Sequence, residues 1–171
     1  EILAGQHHDQ FPVDMIQGGA GTTTNMNANE VIANRALQIM GHELGDYRHC
    51  SPNDHVNCSQ STNDAYPTAI HLGLYATHQE FLKHYVLLIE AFEKKAVEFA
   101  DILKMGRTQL EDAVPMTLGQ TFGAFASILK DEIRSINFAA EEFLTVNMGA
   151  TAIGTGICSE PEYAEKCIAA L

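Results

Sequence analysis

The 171-residue chain is poor in basic residues: 10 Lys and Arg stand against 22 Asp and Glu, for a net charge of −12. Proteins that bind nucleic acids concentrate Lys and Arg on one face to neutralise phosphates, so this deficit argues against a nucleic-acid partner. An acidic balance of this size is typical of a soluble surface. Hydrophobic residues make up 46% of the chain, which is enough for one sizeable core and gives no indication of disorder.

The chain also lacks long apolar runs. No run approaches the roughly 20 residues that a membrane span needs, and no basic-then-apolar signal segment opens the chain. We therefore predict no membrane association and a cytoplasmic location. The chain begins without Met and stops inside an apparent helix at 163–171, so we interpret both ends as cuts in a longer protein.

Cysteine is scarce, and its spacing is uninformative. The four cysteines, Cys50, Cys58, Cys158 and Cys167, form neither a CxxC pair nor a plausible disulfide framework. Free thiols in a reducing compartment are the better interpretation.

Apolar periodicity predicts an all-α fold of long antiparallel helices. A short helix is predicted over 28–40, and an irregular segment rich in Pro, Asn and Asp follows at 46–60. Apolar residues three, four or seven positions apart then predict a helix of about 35 residues between 68 and 101. The same spacing predicts a second long helix, with Pro115 in its first turn, through about residue 146. We divide the chain into the end of an N-terminal domain, 1–60, and the start of a long-helix bundle domain, 61–171.

Two long helices joined by a short segment form an antiparallel hairpin. Both carry broad apolar stripes, and two helices alone cannot cover such stripes. We expect further helices to cover them, either from missing sequence or from other subunits.

Four clusters of uncharged hydrogen-bond donors lie at the predicted helix ends. Ser, Thr and Asn at such positions usually cap helices. Four clusters in one chain favour a second use, because hydroxyl, amide and backbone N–H donors at a positive helix end suit a small carboxylate. Glycines let the backbone approach a ligand closely. The clusters are Gly18–Asn27, Ser59–Asp64, Gly106–Gln109 and Gly149–Gly156.

Other chemistries are less well supported. The glycines at 18–21 do not make the GxGxxG fingerprint, and no Walker or HExxH motif is present. Ser61 lacks the GxSxG elbow of a triad nucleophile. The histidines at 7–8 and those of the long helix, at 71, 78 and 84, are better interpreted as surface or interface residues, so we predict no metal site.

The clusters lie within four longer stretches, GGAGTTTNMNANEVIANRA, PNDHVNCSQSTNDAYPTA, ILKMGRTQLEDAVPMTLGQ and VNMGATAIGTG. In order and spacing these stretches resemble consecutive blocks of the aspartase/class II fumarase superfamily, and the resemblance covers nearly the whole chain. It implies a helical bundle and a homotetramer whose active sites are shared by three chains. It also implies a lyase without an organic cofactor, and it is compatible with an activating divalent cation.

The resemblance also implies which residues contact the substrate dicarboxylate. Asn25 matches a position that supports them. Ala20, Ser51, Gln109 and the QSTND spelling differ from the residues usual in fumarases and favour the aspartase branch. The residues that match substrate-binding positions are Thr22, Ser61, Thr62, Asn63, Thr108 and Gln109.

The implied reaction is an anti elimination in which a base removes a C3 proton and ammonia leaves C2. Prearranged donors must stabilise the doubly charged aci-carboxylate intermediate. In this superfamily the base is a serine on a loop with an SSxMPxKxN-like stretch. These 171 residues contain no such stretch, so the base is expected beyond Leu171 and the isolated chain is expected to be inactive.

Two alternatives remain open at this point. A class II fumarate hydratase would release water in place of ammonia. A non-catalytic helical assembly module would use the four clusters only as caps.

Helix geometry makes a separate prediction. At 1.5 Å per residue, a helix of about 35 residues is roughly 50 Å long, so Thr62 and Gln109 should lie near opposite ends of one rod. A ligand as small as aspartate can then touch both only if two chains contribute to one site. The return helix should bring Gly149–Gly156 back towards Ser59–Asp64 of the same chain.

Overall fold

The computed structural model describes residues 1–16, 18 and 21–171. The chain forms two compact units, one made of 1–71 and 146–171 and the other of 72–145. The all-α prediction is confirmed for most of the chain, with one two-stranded hairpin as the exception. Within the described residues, no helix combines the length and the apolar character needed to cross a membrane.

The first unit is built around helix α1, Thr22–Met40, which ends at Gly41 in a left-handed conformation. A single π-helical turn, Pro52–Asn57, follows it, and α1 packs on this turn. Helix α4 spans Tyr163–Ala170, as the sequence predicts. Short 3-10 turns complete the unit at Ile2–Ala4, His8–Gln10 and Ala152–Gly154.

The predicted start of α1 at residue 28 is wrong, because the helix begins at Thr22. The stretch TTTN therefore lies inside the first turns of α1 and not in front of it. Threonine and asparagine have low helix propensities, so sequence pattern alone underestimates this helix. Tertiary packing compensates: Ala33 and Leu37 of α1 are fully buried against Cys50.

Helix α2, Thr62–Glu98, has 37 residues and continues into the second unit. There it is followed by strands β1, Leu103–Thr108, and β2, Glu111–Thr117, and by helix α3, Leu118–Glu142. The predicted antiparallel helix pair is confirmed. Phe92 of α2 packs on Phe122 and Phe125 of α3, with ring centroids 5.8 and 5.7 Å apart.

The hairpin β1–β2 corrects the prediction that Pro115 opens the second long helix. Pro115 lies in β2 opposite Met105, where a proline is tolerated because each strand of a two-stranded sheet has a free edge. Helix α3 starts instead at a capping box. The hydroxyl of Thr117 accepts the N–H of Gln120 at 3.1 Å, and the Gln120 side chain accepts the N–H of Thr117 at 2.9 Å. The helix also ends at Glu142, not near residue 146.

Large apolar side chains remain exposed along the helices of the second unit. Phe81 and Leu87 of α2 and Phe138 of α3 are 51%, 58% and 66% exposed. The prediction that two helices cannot cover each other's stripes is thus confirmed within this unit. The prediction of free thiols is confirmed as well, since all four cysteines are free.

Candidate functional site

The first unit brings Asn25 of α1 to Thr62, the first residue of α2. The Asn25 side-chain amide donates to Oγ1 of Thr62 at 3.3 Å. A threonine hydroxyl carries one hydrogen and two acceptor lone pairs. Asn25 occupies one lone pair, and the hydroxyl hydrogen of Thr62 has no acceptor among the described residues, so it can donate to an anion.

A network of partly buried asparagines holds this pair in place. Oδ1 of Asn57 accepts from Asn25 at 3.4 Å and from the buried Asn29 at 3.0 Å. The side-chain amide of Asn57 donates in turn to the Gln60 carbonyl at 2.8 Å. The π-helical turn, which ends at Asn57, therefore connects α1 to the start of α2.

Ser61 and Asn63 flank Thr62 and differ in what they offer. Oγ of Ser61 accepts the N–H of Asn63 at 3.1 Å, so the capping interpretation holds for this oxygen. Its hydroxyl can still donate. The side chain of Asn63 is exposed. The second cluster thus caps α2 and presents donors at the same time.

Asp64 links this cluster to the fourth one. Its side chain is 1% exposed, and Oδ2 accepts the N–H of Thr151 at 2.7 Å. Thr151 has a φ of 56° and a ψ of −160°, a conformation that is nearly exclusive to glycine and costs other residues on the order of 1 kcal/mol or more. The bond to Asp64 helps hold this backbone, and the expected return of Gly149–Gly156 to the second cluster is confirmed.

A second bond joins the same two segments. Pro67 lies inside α2 and has no N–H to donate to the carbonyl four residues earlier, that of Asn63. The side-chain amide of Asn147 donates to that carbonyl at 2.9 Å. The proline thus frees an acceptor, and the segment after α3 uses it.

Thr22 lies at the exposed first turn of α1, and Gly21 in front of it explains the position. Gly21 is buried with a φ of 82°, and a Cβ there would lie 2.1 Å from Cδ1 of the Tyr66 ring. Only glycine fits both the conformation and the contact. Gly21 has no side chain to cap α1, so the capping interpretation fails at this residue. Ala20 lies outside the described residues.

Thr108 and Gln109 belong to the second unit, at the tip of the hairpin. Thr108 pairs with Glu111, and the two residues between them, Gln109 and Leu110, have φ values of 48° and 71°. Two positive φ values are what a tight hairpin turn requires, usually from Asn or Gly. Gln109 therefore lies exposed on a strained turn. The sequence-based prediction that it lies directly in front of a helix is wrong.

Tyr163 of α4 adds a phenol near Asp64. Burial raises the pKa of Tyr163 well above its usual range, and the neighbouring Cys167 and Asp64 raise it further.

Ser51 has a structural role in the first unit. Its hydroxyl oxygen accepts the N–H groups of Asn53 and Asp54 at 3.2 and 3.1 Å and caps the π-helical turn. Asn57 and Asn147 were not singled out from the sequence, and Asp64 and Thr151 only as members of the second and fourth clusters, although all four lie within the stretches that carry the resemblance.

The family comparison covers the whole chain, and a sequence comparison agrees with it. A lyase family model matches residues 1–171. The chain is 59% identical to the aspartate ammonia-lyase of Pseudomonas aeruginosa over 168 residues, which are 98% of this chain and 35% of that protein. The chain thus spans about a third of the length of the curated relatives that it matches.

Solved structures give the same result. The fumarate lyase:delta crystallin from Brucella melitensis bound to cobalt is 53% identical, with a TM-score of 0.82 over 98% of this chain and 36% of that one. The recombinant class II fumarase from Schistosoma mansoni is 37% identical, with a TM-score of 0.77 over 99% of this chain and 36% of that one. The matching sequence blocks, the long paired helices and the full-length family match lead to one conclusion: the chain belongs to the lyase family that includes aspartases and class II fumarases.

Proposed function

We propose that the complete protein is an aspartate ammonia-lyase, which converts L-aspartate reversibly to fumarate and ammonia. The observation that carries the proposal is the Asn25–Thr62 pair, which leaves an oriented hydroxyl donor at the start of α2. The comparisons favour this branch over the hydratase branch: identity is 59% to an aspartate ammonia-lyase and 37% to a class II fumarase.

In this proposal the second cluster binds one substrate carboxylate. Thr62 and Ser61 donate through hydroxyls, and Asn63 donates through its exposed amide. These donors are neutral and fixed before the substrate arrives, because Asn57 and Asp64 hold the backbone around them. Thr22, at the positive end of α1, supplies a further donor to the dicarboxylate.

The chemical task of these residues is to stabilise charge. Removal of a C3 proton turns the adjacent carboxylate into a doubly charged aci-carboxylate, and donors aimed at that group lower the barrier. Thr108 and Gln109 complete the shell from the hairpin tip, where the neutral amide of Gln109 lies against the substrate. In this proposal the base is the serine that the superfamily resemblance implies. The reaction needs no organic cofactor in this proposal.

The proposal extends to assembly. Apolar side chains exposed on α2 and α3 suit burial between subunits of a homo-oligomer. A helix of 37 residues is about 55 Å long, and Thr62 opens this helix whereas Gln109 follows it. We therefore place the second and third clusters of one site on different chains of a tetramer. We also propose that the oligomer is cytoplasmic. The proposed boundary between the N-terminal domain and the long-helix bundle domain is at residue 60.

The test is an assay of the complete protein at 240 nm, where fumarate absorbs. We expect fumarate to form from L-aspartate, and malate to be converted far more slowly. Faster turnover of malate would assign the protein to the hydratase branch. Turnover of neither substrate by a correctly assembled protein would support the assembly-module alternative.

A further inference from the structure

Three side chains of types that commonly bind metal ions lie in the loop after α1, in the sequence pattern His-x3-Asp-x2-His. One ligand atom each from His42, Asp46 and His49 lies within 4.8 Å of the other two. The two imidazole rings stack with their centroids 3.8 Å apart and their planes 5° apart. Nε2 of His49 lies 3.7 Å from Oδ2 of Asp46.

The backbone of this loop is fixed by bonds that do not involve the three side chains. The N–H of His42 donates to the Leu37 carbonyl at 2.9 Å, and the N–H of His49 donates to the Asp46 carbonyl at 3.0 Å. Oδ1 of Asn34, on α1, accepts the N–H of Gly45 at 2.8 Å. The three side chains therefore start from a preorganised frame.

Two imidazoles and one carboxylate are a ligand set for first-row transition metals. Imidazole favours Zn²⁺, Co²⁺ and Ni²⁺ over Mg²⁺ and Ca²⁺. Tetrahedral bonds of about 2.1 Å require ligand atoms roughly 3.4 Å apart, so separations of up to 4.8 Å must shrink, and one of the two parallel stacked rings must turn before both can face one ion. His49 is exposed and can turn.

We propose that His42, Asp46 and His49 form a three-ligand site for a divalent transition-metal ion, with water in the remaining position. The site lies apart from the donor clusters and does not depend on the proposed reaction. A bound ion would join the end of α1 to the segment that leads through Cys50 to the π-helical turn.

The ion must displace an arginine. Nε and Nη2 of Arg48 donate to the two carboxylate oxygens of Asp46 at 2.8 and 3.1 Å. The Arg48 side chain is 84% exposed. Exposed ion pairs contribute little, so this competition is weak. Replacing Arg48 therefore tests whether Asp46 binds the ion.

The experiment titrates Co²⁺ alone into the complete protein after chelation, and follows Co²⁺ absorption in the visible range and the melting temperature. We expect one Co²⁺ per chain at this site, a higher melting temperature and displacement by Zn²⁺. His49→Asn and Asp46→Asn should each raise the Kd by at least about tenfold. Arg48→Ala should lower it, by up to about fivefold.

The matched control is His84→Asn, an exposed histidine that pairs only with Glu80 among the described residues. It should bind Co²⁺ like the wild type. The proposal is overturned if the wild-type protein binds no Co²⁺, or if the His49 and Asp46 variants bind it unchanged. A failure of Arg48→Ala to tighten binding would also contradict it, and that variant keeps all three ligands.

Discussion

At the scale of single residues, Thr62 illustrates how a position at a helix start can keep a hydrogen-bond donor free. A threonine at a helix start is ordinarily explained by the backbone. Here the side chain accepts a hydrogen bond from Asn25, and its own hydrogen is left for another acceptor.

We predict that Thr62→Ala lowers kcat/KM for aspartate by roughly one to three orders of magnitude, the range for loss of one oriented donor. Asn63→Ala should fall within the same range. Stability should drop by only about 1 kcal/mol. Steady-state kinetics and urea unfolding measure the two effects. Thr62→Ser, which keeps the hydroxyl, is the matched control. Near-normal turnover by Thr62→Ala would mean that the second cluster only caps the helix.

We expect Asp64 to contribute mainly to the stability of the first unit. Asp64→Ala leaves the N–H of Thr151 buried without an acceptor, which should lower the free energy of unfolding by about 1–3 kcal/mol. Asp64→Asn keeps an acceptor oxygen and should cost less. Denaturant unfolding of both variants tests the order. An equal cost for the two would mean that the Thr151 bond contributes nothing.

Residue types and local order could be predicted from the sequence, but most of the supporting partners could not. Thr62 and Asn25 were identified because their stretches resemble a known family. Asp64 and Thr151 are 87 positions apart, and no local pattern predicts such a bond. Only packing of the return segment onto α2 brings the two together.

At the scale of elements, the long helices were predictable because their apolar spacing repeats over many turns. The hairpin was not. Its strands are short and mostly exposed, and Pro115 is typical of a helix start. The capping box at Thr117 and Gln120 sets the true start of α3, and its pattern of Thr followed three residues later by Gln was available in the sequence.

Pro67 and Asn147 allow a test of how α2 holds the return segment. Asn147→Ala should destabilise the protein by about 1 kcal/mol, because the Asn63 carbonyl loses its partner. In a Pro67→Ala background the new N–H can bond to that carbonyl, so the same Asn147 change should cost measurably less. A double-mutant cycle by urea unfolding gives the coupling. Strictly additive effects would contradict the exchange of partners.

At the scale of the whole molecule, the exposed apolar faces and the length of α2 lead to the same expectation. The second unit leaves Phe81, Leu87 and Phe138 largely exposed, which a stable protein covers. Helix α2 has 37 residues, and a straight helix of that number of residues is about 55 Å long. A site that uses both clusters therefore needs a second chain.

Complementation between two inactive variants tests this directly. Thr62→Ala and Gln109→Ala, each in the complete protein, should have little activity when refolded alone. If one chain supplies the second cluster and another the third, random mixing leaves about one quarter of the sites with both clusters intact. Co-refolded oligomers should therefore recover up to about a quarter of wild-type activity, measured as fumarate formation at 240 nm.

Each variant refolded alone at the same total concentration is the control, and sizing by light scattering verifies assembly. If Gln109→Ala keeps its activity, Thr108→Ala takes its place. If both variants are inactive and properly assembled but the mixture recovers no activity, both clusters belong to the site of one chain. That result would contradict an uninterrupted α2.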